Sequence, residues 1–265
     1  MTHPYIFMHI PKNGGTTFHS ILNRIYRHEN IFTISSINNK QTNEALLKAM
    51  PEQERHAYKI IKGHAVFGLH QYTAPNAKYL TYLRKPEDRI ASFYYYVLRK
   101  PGNKLYGTIK DNNLSLYDFV TQVESMDLNN CQIRWISGID DKEELMLEKA
   151  LENIDNYFDF VGITEKYNEC LILLQHLFNW SSPYYLMQNK TKNRPKKDQI
   201  DAKTLEAINA YNHGDNQLYT IISERISTKI KNEPNLKRDL RKLQFYNRLY
   251  SNDITRKIGA KLKNI

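Results

Sequence analysis

The chain has 265 residues and a mass of 31.3 kDa, and 41% of it is apolar, 25% charged and 12% aromatic. That composition excludes a disordered or fibrous chain. It suits one α/β domain with elaborations, burying about 70–75% of its extended surface on folding. The net charge is +10, but residues 231–265 hold ten basic and three acidic side chains, so +7 of it sits in the tail.

Residues 5–10 are apolar and read as a strand ended by Pro11, and residues 17–26 carry Phe18, Ile21, Leu22 and Ile25 at helical spacing. An Asn-rich loop follows over 37–43, then a short helix near 44–50. Strands are expected over 58–62 and 78–83, the second stopped by Pro86. A helical pattern over 89–99 gives way to a loop over 101–113. Further helices are expected over 115–124, 129–136 and 143–154, a strand over 158–163 and an apolar helix over 168–178. Residues 184–197 are too polar and basic for either element. One long helix is expected over 202–230, and Pro234 separates it from a last helix over 236–262. Strands alternating with helices imply a P-loop-like three-layer α/β/α fold, with a mostly parallel central sheet and helical elaborations. Residues 1–230 form the expected domain and 231–265 a basic amphipathic extension.

Cys131 and Cys170 are too few for a disulfide framework or a thiolate metal cluster and read as reduced interior residues. No basic leader followed by an apolar segment opens the chain. No run reaches about 18 apolar residues either, so the expected compartment is the cytoplasm, including its membrane face.

In a parallel sheet, ligands bind beyond the carboxyl ends of the strands. Three expected strands end near Lys12, His64 and Arg84, so the architecture predicts that these residues meet at one edge. The strand-to-helix segment Pro11-Lys12-Asn13-Gly14-Gly15-Thr16-Thr17 has the parts of a phosphate cradle. Gly14 and Gly15 admit close backbone approach, helix-start amides point at an anion, Lys12 adds charge, and Thr16 and Thr17 add hydroxyls. It is neither a Walker A loop nor a dinucleotide fingerprint, since GxxxxGK[ST] and GxGxxG are both absent. Arg84 at a strand end, with Ser92 in the next helix, suits forked binding of a second phosphate. The same two residues equally suit an ion pair with Glu87 or Asp88 and a local cap.

In PKNGGTT and YLRKPEDRIASFYYY the sequence resembles the sulfotransferases that use 3′-phosphoadenosine 5′-phosphosulfate (PAPS). It looks closest to the sulfotransferase family 2 branch related to heparan sulfate 2-O-sulfotransferase. Matches continue through NNCQIRWISG and DFVGITEKYNECLILL, so the resemblance covers about residues 5–200. It implies that Lys12, Asn13, Gly14, Gly15, Thr16 and Thr17 bind the 5′-phosphosulfate end of the cofactor. Arg84 and Ser92 would hold its 3′-phosphate, and the segment NKTKNRPKK, with Lys192 and Arg194, would close over the nucleotide. It further implies that His64, in the Gly-His dipeptide, is the base, with Lys12 assisting catalysis. One departure stands out: where the related glycan enzyme has a second His two positions earlier, this chain has Lys62.

A histidine with a pKa near 6.5 can accept a hydroxyl proton at neutral pH. The implied reaction is in-line sulfuryl transfer to a hydroxyl, on a sugar or oligosaccharide, releasing adenosine 3′,5′-bisphosphate without a metal. An ATP-dependent small-molecule kinase is the nearest alternative enzyme, but recognisable Mg²⁺ carboxylates and a Lys after the glycines are lacking. A polyanion- or membrane-surface-binding protein would use the basic tail. Nucleic acid is disfavoured, because no RNA-binding pattern interleaves the aromatics with the basic residues. In the tail, Leu236, Leu240, Leu243, Tyr250, Ile254 and Ile258 recur at helical spacing between basic flanks. That pattern predicts packing on the domain or on a second copy, with contact to anionic lipid as the alternative.

Overall fold

The computed structural model describes residues 4–34, 36–37, 41–42, 44–181, 183–186 and 200–251. Its centre is a five-stranded sheet of β1 (Tyr5–Met8), β2 (Ile31–Ile34), β5 (Ile60–Gly63), β6 (Lys78–Leu83) and β7 (Phe158–Ile163), in the order β2-β5-β1-β6-β7. Every pairing in it is parallel. β1, β5 and most of β6 are buried at successive residues, as strands covered on both faces must be. A separate antiparallel ribbon joins β3 (Ser36–Ile37) to β4 (Gln41–Thr42), inside what the sequence presented as a loop.

Helices cover both faces, giving the expected α/β/α layers. On one side, α1 (Gly15–Ile25) and α9 (Tyr167–Phe178) bury Phe18 and Tyr167 against Phe7 and Tyr82. On the other, Tyr79 stacks on Phe158 and meets Phe67, beneath α7 (Cys131–Ser137) and α8 (Glu143–Tyr157). A second apolar cluster joins α4 (Pro86–Val97), α5 (Tyr106–Asp111), α6 (Leu116–Gln122) and α10 (Ala202–Tyr211) through residues such as Phe93, Ile109, Phe119 and Ile208. Cys131 and Cys170 are both buried free thiols.

The structure corrects several sequence boundaries. Strand Ile31–Ile34 was not anticipated, because four residues at a sheet edge carry too little periodicity. Short helices α2 (Glu44–Ala49) and α3 (Glu52–His56) precede β5, and only the first was expected; α5 lies within the expected 101–113 loop. α4 starts at Pro86 rather than residue 89, since proline's fixed φ suits the first helical position. The single helix expected over 202–230 is two, α10 and α11 (His213–Lys231), broken at Asn212 with φ −130° and ψ 39°. There Asn212 accepts a hydrogen bond from the Asn130 amide at 3.2 Å, a partner 82 residues away that local spacing cannot reveal.

The final helix α12 (Leu236–Ser251) packs on α9, with Leu243 fully buried and Asp239 Oδ2 3.1 Å from His176 Nε2. Residues 252–262 of that expected helix lie outside the described residues, as do Lys190, Lys192, Arg194, Lys196 and Lys197. Among the described residues, no helix is long and apolar enough to cross a membrane.

Candidate active site

The strand order makes β5, β1 and β6 consecutive, so their carboxyl ends bring His64, Lys12 and Arg84 to one edge of the sheet. The chain runs from β1 towards β2 on one side, and later from β6 towards β7 on the other. β1 and β6 therefore flank the point where the winding reverses, where open α/β sheets form their ligand crevice. Lys12 and Arg84 border it.

The loop after β1 is held in an unusual backbone shape. Lys12 has φ +70° and Gly14 φ +78°, both in the left-handed region, and α1 starts at Gly15. A glycine at the N-cap offers no side-chain acceptor, and no acidic residue lies in the first turn. The first amides of α1 are thus left without a side-chain cap, the arrangement that favours an anion. A Cβ on Gly14 would come 2.9 Å from Thr164 Cγ2, and one on Gly15 would fall 2.0 Å from the His9 ring. Both glycines are required by close packing within the protein, in addition to any ligand approach.

Thr16 is exposed at the helix start, whereas Thr17 is buried. Asn13 is also buried, and its amide donates to the Tyr82 carbonyl at 2.7 Å and to Gln132 Oε1 at 2.8 Å. Asn13 therefore anchors the loop to the sheet and α7. Gln132 also accepts from the Arg84 amide at 2.9 Å and donates to the Arg84 carbonyl at 3.0 Å. One buried glutamine thus ties the phosphate-type loop to the end of β6. Its signal was a polar residue on the apolar face of a helix. Asp215 holds α7 in turn, accepting from the amides of Gln132 and Ile133 at 3.1 and 2.8 Å.

The Arg84 guanidinium faces the same loop, with Nη1 donating to the Lys12 carbonyl at 3.0 Å. Lys12 Nζ lies 4.0 Å from the centre of the Tyr96 ring. Burial, then the charges of Arg84 and Arg99, lower the Lys12 pKa to about 8. Half-buried Ser92 lies one turn before Tyr96 on α4, which puts it on the face that meets Lys12. Because α4 begins at Pro86, Ser92 stands nearly two turns into the helix rather than one. Lys12, Arg84 and Arg99 form a positive cluster in partly desolvated surroundings, which a bound anion would stabilise.

His64 follows Gly63 and reaches solvent. Its Nδ1 lies 2.7 Å from the His9 carbonyl, and since a carbonyl only accepts, Nδ1 carries the proton. Nε2 is then the proton acceptor. The His64 ring stacks on His9 at 4.4 Å and meets half-buried Trp135 edge-on at 6.0 Å. Burial lowers its pKa, partly opposed by the His9 carbonyl and Asp127, so the ring is neutral at neutral pH. Lys62 is only 2% exposed. Its ammonium bonds Asn23 Oδ1 and the His19 carbonyl, so it faces α1, inside the layers.

Among the described residues, no group of His, Cys, Asp or Glu could hold a metal ion. A cavity of about 490 Å³ lined by Phe158, Asp159, Ile222 and Arg225 lies at the start of β7, the opposite edge of the sheet.

Fold and site together define an α/β/α protein with a basic, anion-receptive crevice at the carboxyl edge of a parallel sheet. No family model and no curated protein matches the sequence. Among solved structures the chain is similar to a sulfotransferase from Alicyclobacillus acidocaldarius, at 15% identity and a TM-score of 0.44, covering 84% of this chain and 97% of that one. It is also similar to mouse sulfotransferase SULT7A1 complexed with PAP, at 12% identity and a TM-score of 0.38, covering 99% of this chain and 89% of that one. At that degree of likeness the chemistry has to be read from this chain's own residues.

Proposed function

We propose that the chain is a PAPS-dependent O-sulfotransferase that moves a sulfuryl group to a hydroxyl of a sugar or oligosaccharide in the cytoplasm or at its membrane face. The observation that carries this reading is the adjacency of β5, β1 and β6, with an uncapped helix start, two cations and a neutral histidine at their ends. In this reading the glycine loop, Lys12 and exposed Thr16 hold the 5′-phosphosulfate, Thr17 being buried, and Arg84 with Ser92 hold the 3′-phosphate. When bound, PAPS supplies the sulfuryl group and its 5′-phosphate leaving group.

His64 Nε2 takes the acceptor hydroxyl proton as the new sulfur–oxygen bond forms. Lys12 neutralises the charge that collects on the leaving 5′-phosphate as the old sulfur–oxygen bond breaks. The loop amides hold the remaining oxygens in place. Such preorganised charge and positioning are the general means of accelerating group transfer. Half-buried Trp135 beside His64 offers an aromatic surface of the kind that packs on a sugar ring.

Calorimetry tests the nucleotide half of the reading. Adenosine 3′,5′-bisphosphate should bind more tightly than adenosine 5′-phosphate, and equal affinity removes Arg84 and Ser92 from the site. The acceptor half is tested by incubating the protein with PAPS and a panel of saccharides, phenols and lipid-linked glycans. The expected product is a saccharide heavier by one sulfuryl group in the mass spectrum. Transfer to phenols alone overturns the acceptor class.

A further inference from the structure

His9 has no role in the proposed transfer, yet it touches both the glycine loop, at Gly15, and His64. Its ring is nearly parallel to those of Phe7, at 5.8 Å and 12° between planes, and of His64, at 4.4 Å and 24°. Its Nδ1 is hydrogen-bonded to His19 Nε2 at 3.0 Å. Its Cδ2–Nε2 edge lies against Gly15, where an added Cβ would stand 2.0 and 2.2 Å from those two atoms. Its carbonyl accepts the His64 Nδ1 proton. One imidazole therefore has near-parallel ring neighbours in Phe7 and His64, a hydrogen bond to His19, and the first residue of α1 against its edge.

We propose that His9 is a positioning residue that couples the glycine loop to His64, its ring fixing the plane in which His64 presents Nε2. The proposal rests on the reading of His64 as the base. Stacking removes one face of the His64 ring from water and blocks rotation about its side-chain bonds, while the backbone hydrogen bond selects the tautomer. His19 is the brace that stops His9 from turning. A displacement of the loop at Gly15 is transmitted through the His9 ring, because the contact leaves no space to absorb it. The geometry also accounts for a glycine at position 15, where φ is not positive and backbone conformation alone does not demand one.

The charged and titratable groups around this stack come from four elements. They are His19 on α1, Lys62 on β5, Lys12 in the loop after β1, and Asp127 ahead of α7. Burial holds His9 down to about 2 and His19 down to about 3, so both are neutral and neither repels a proton arriving at His64.

The test follows the ring nitrogens of His64 by nuclear magnetic resonance of ¹⁵N-histidine-labelled full-length protein across pH, assigned through the signal missing in His64→Ala. In His9→Ala the carbonyl remains but the stack is gone. The His64 midpoint should rise toward the ordinary histidine value, and its tautomers should mix because the unstacked ring is free to turn away from that carbonyl. His9→Phe, which keeps a flat ring but loses the bond to His19, should preserve more of both than His9→Ala. Gly15→Ala should shift the His64 signal in the wild-type background and add little to His9→Ala. Circular dichroism establishes that each variant is folded. An unmoved His64 titration in folded His9→Ala overturns the proposal, as does a Gly15→Ala effect that adds fully to it. If His9→Ala does not fold, Gly15→Ala decides, and an unmoved His64 signal there is fatal. These measurements need no nucleotide, so failure of the sulfotransferase reading appears separately, as absent binding of adenosine 3′,5′-bisphosphate to the wild-type protein.

Discussion

At the scale of single residues, the proposed role of Lys12 ties nucleotide binding to its protonation. Its pKa of about 8 in the nucleotide-free protein means that it is charged at pH 7 and largely neutral by pH 9. A bound phosphate favours the charged form, so affinity for adenosine 3′,5′-bisphosphate should fall as pH rises through 8. Calorimetry at pH 7 and 9 reads the change, and Lys12→Met should bind weakly with most of that pH dependence gone. In the proposed reading a charge-assisted contact from Arg84 to the 3′-phosphate is worth about 1.5–3 kcal/mol, so Arg84→Ala should weaken the bisphosphate about 10–100-fold. It should affect adenosine 5′-phosphate less, although loss of the bond to the Lys12 carbonyl will loosen the loop for both. His64→Ala should lower turnover by about 10²–10⁴-fold and leave nucleotide affinity nearly intact. A variant that turns over normally would move the base elsewhere.

Between elements, one side chain of α7 bonds both the loop after β1 and the end of β6. Gln132 is fully buried and bonds to Asn13 and to both backbone groups of Arg84. Gln132→Ala strands buried polar groups, each costing about 1–3 kcal/mol. The expected result is a lower midpoint in urea together with weaker nucleotide binding, since the loop and Arg84 lose their common support. Gln132→Glu keeps the acceptor but replaces the donating amide, and should recover part of the stability. The segment Asn129–Gly138 was legible as a helix carrying a family resemblance. The role of its glutamine was not, because its partners are 119 and 48 residues away.

For the whole molecule, the tail is part of the packed structure as far as Ser251. α12 covers α9 with Leu243, and Asn247 Oδ1 accepts from the Tyr185 amide at 2.7 Å, on the approach to residues 187–199. Leu243→Ala should cost about 2–5 kcal/mol by thermal or urea unfolding, and deletion of 232–265 should cost more. An unchanged midpoint in both would mean that the helix does not contribute to the domain's stability. The alternation of apolar strands with amphipathic helices was enough to determine the layered parallel fold, because a short continuous apolar run and a 3.6-residue period are local properties of the chain. The same holds for the strand–glycine–helix loop, whose residue types are contiguous. Only the tertiary structure decided that β5, β1 and β6 are neighbours, that the helix over 202–230 breaks at Asn212, that Lys62 faces inward, and that His9 lies between the loop and His64. Each of those depends on contacts between residues distant in sequence, and no local pattern encodes which distant partner a side chain will meet.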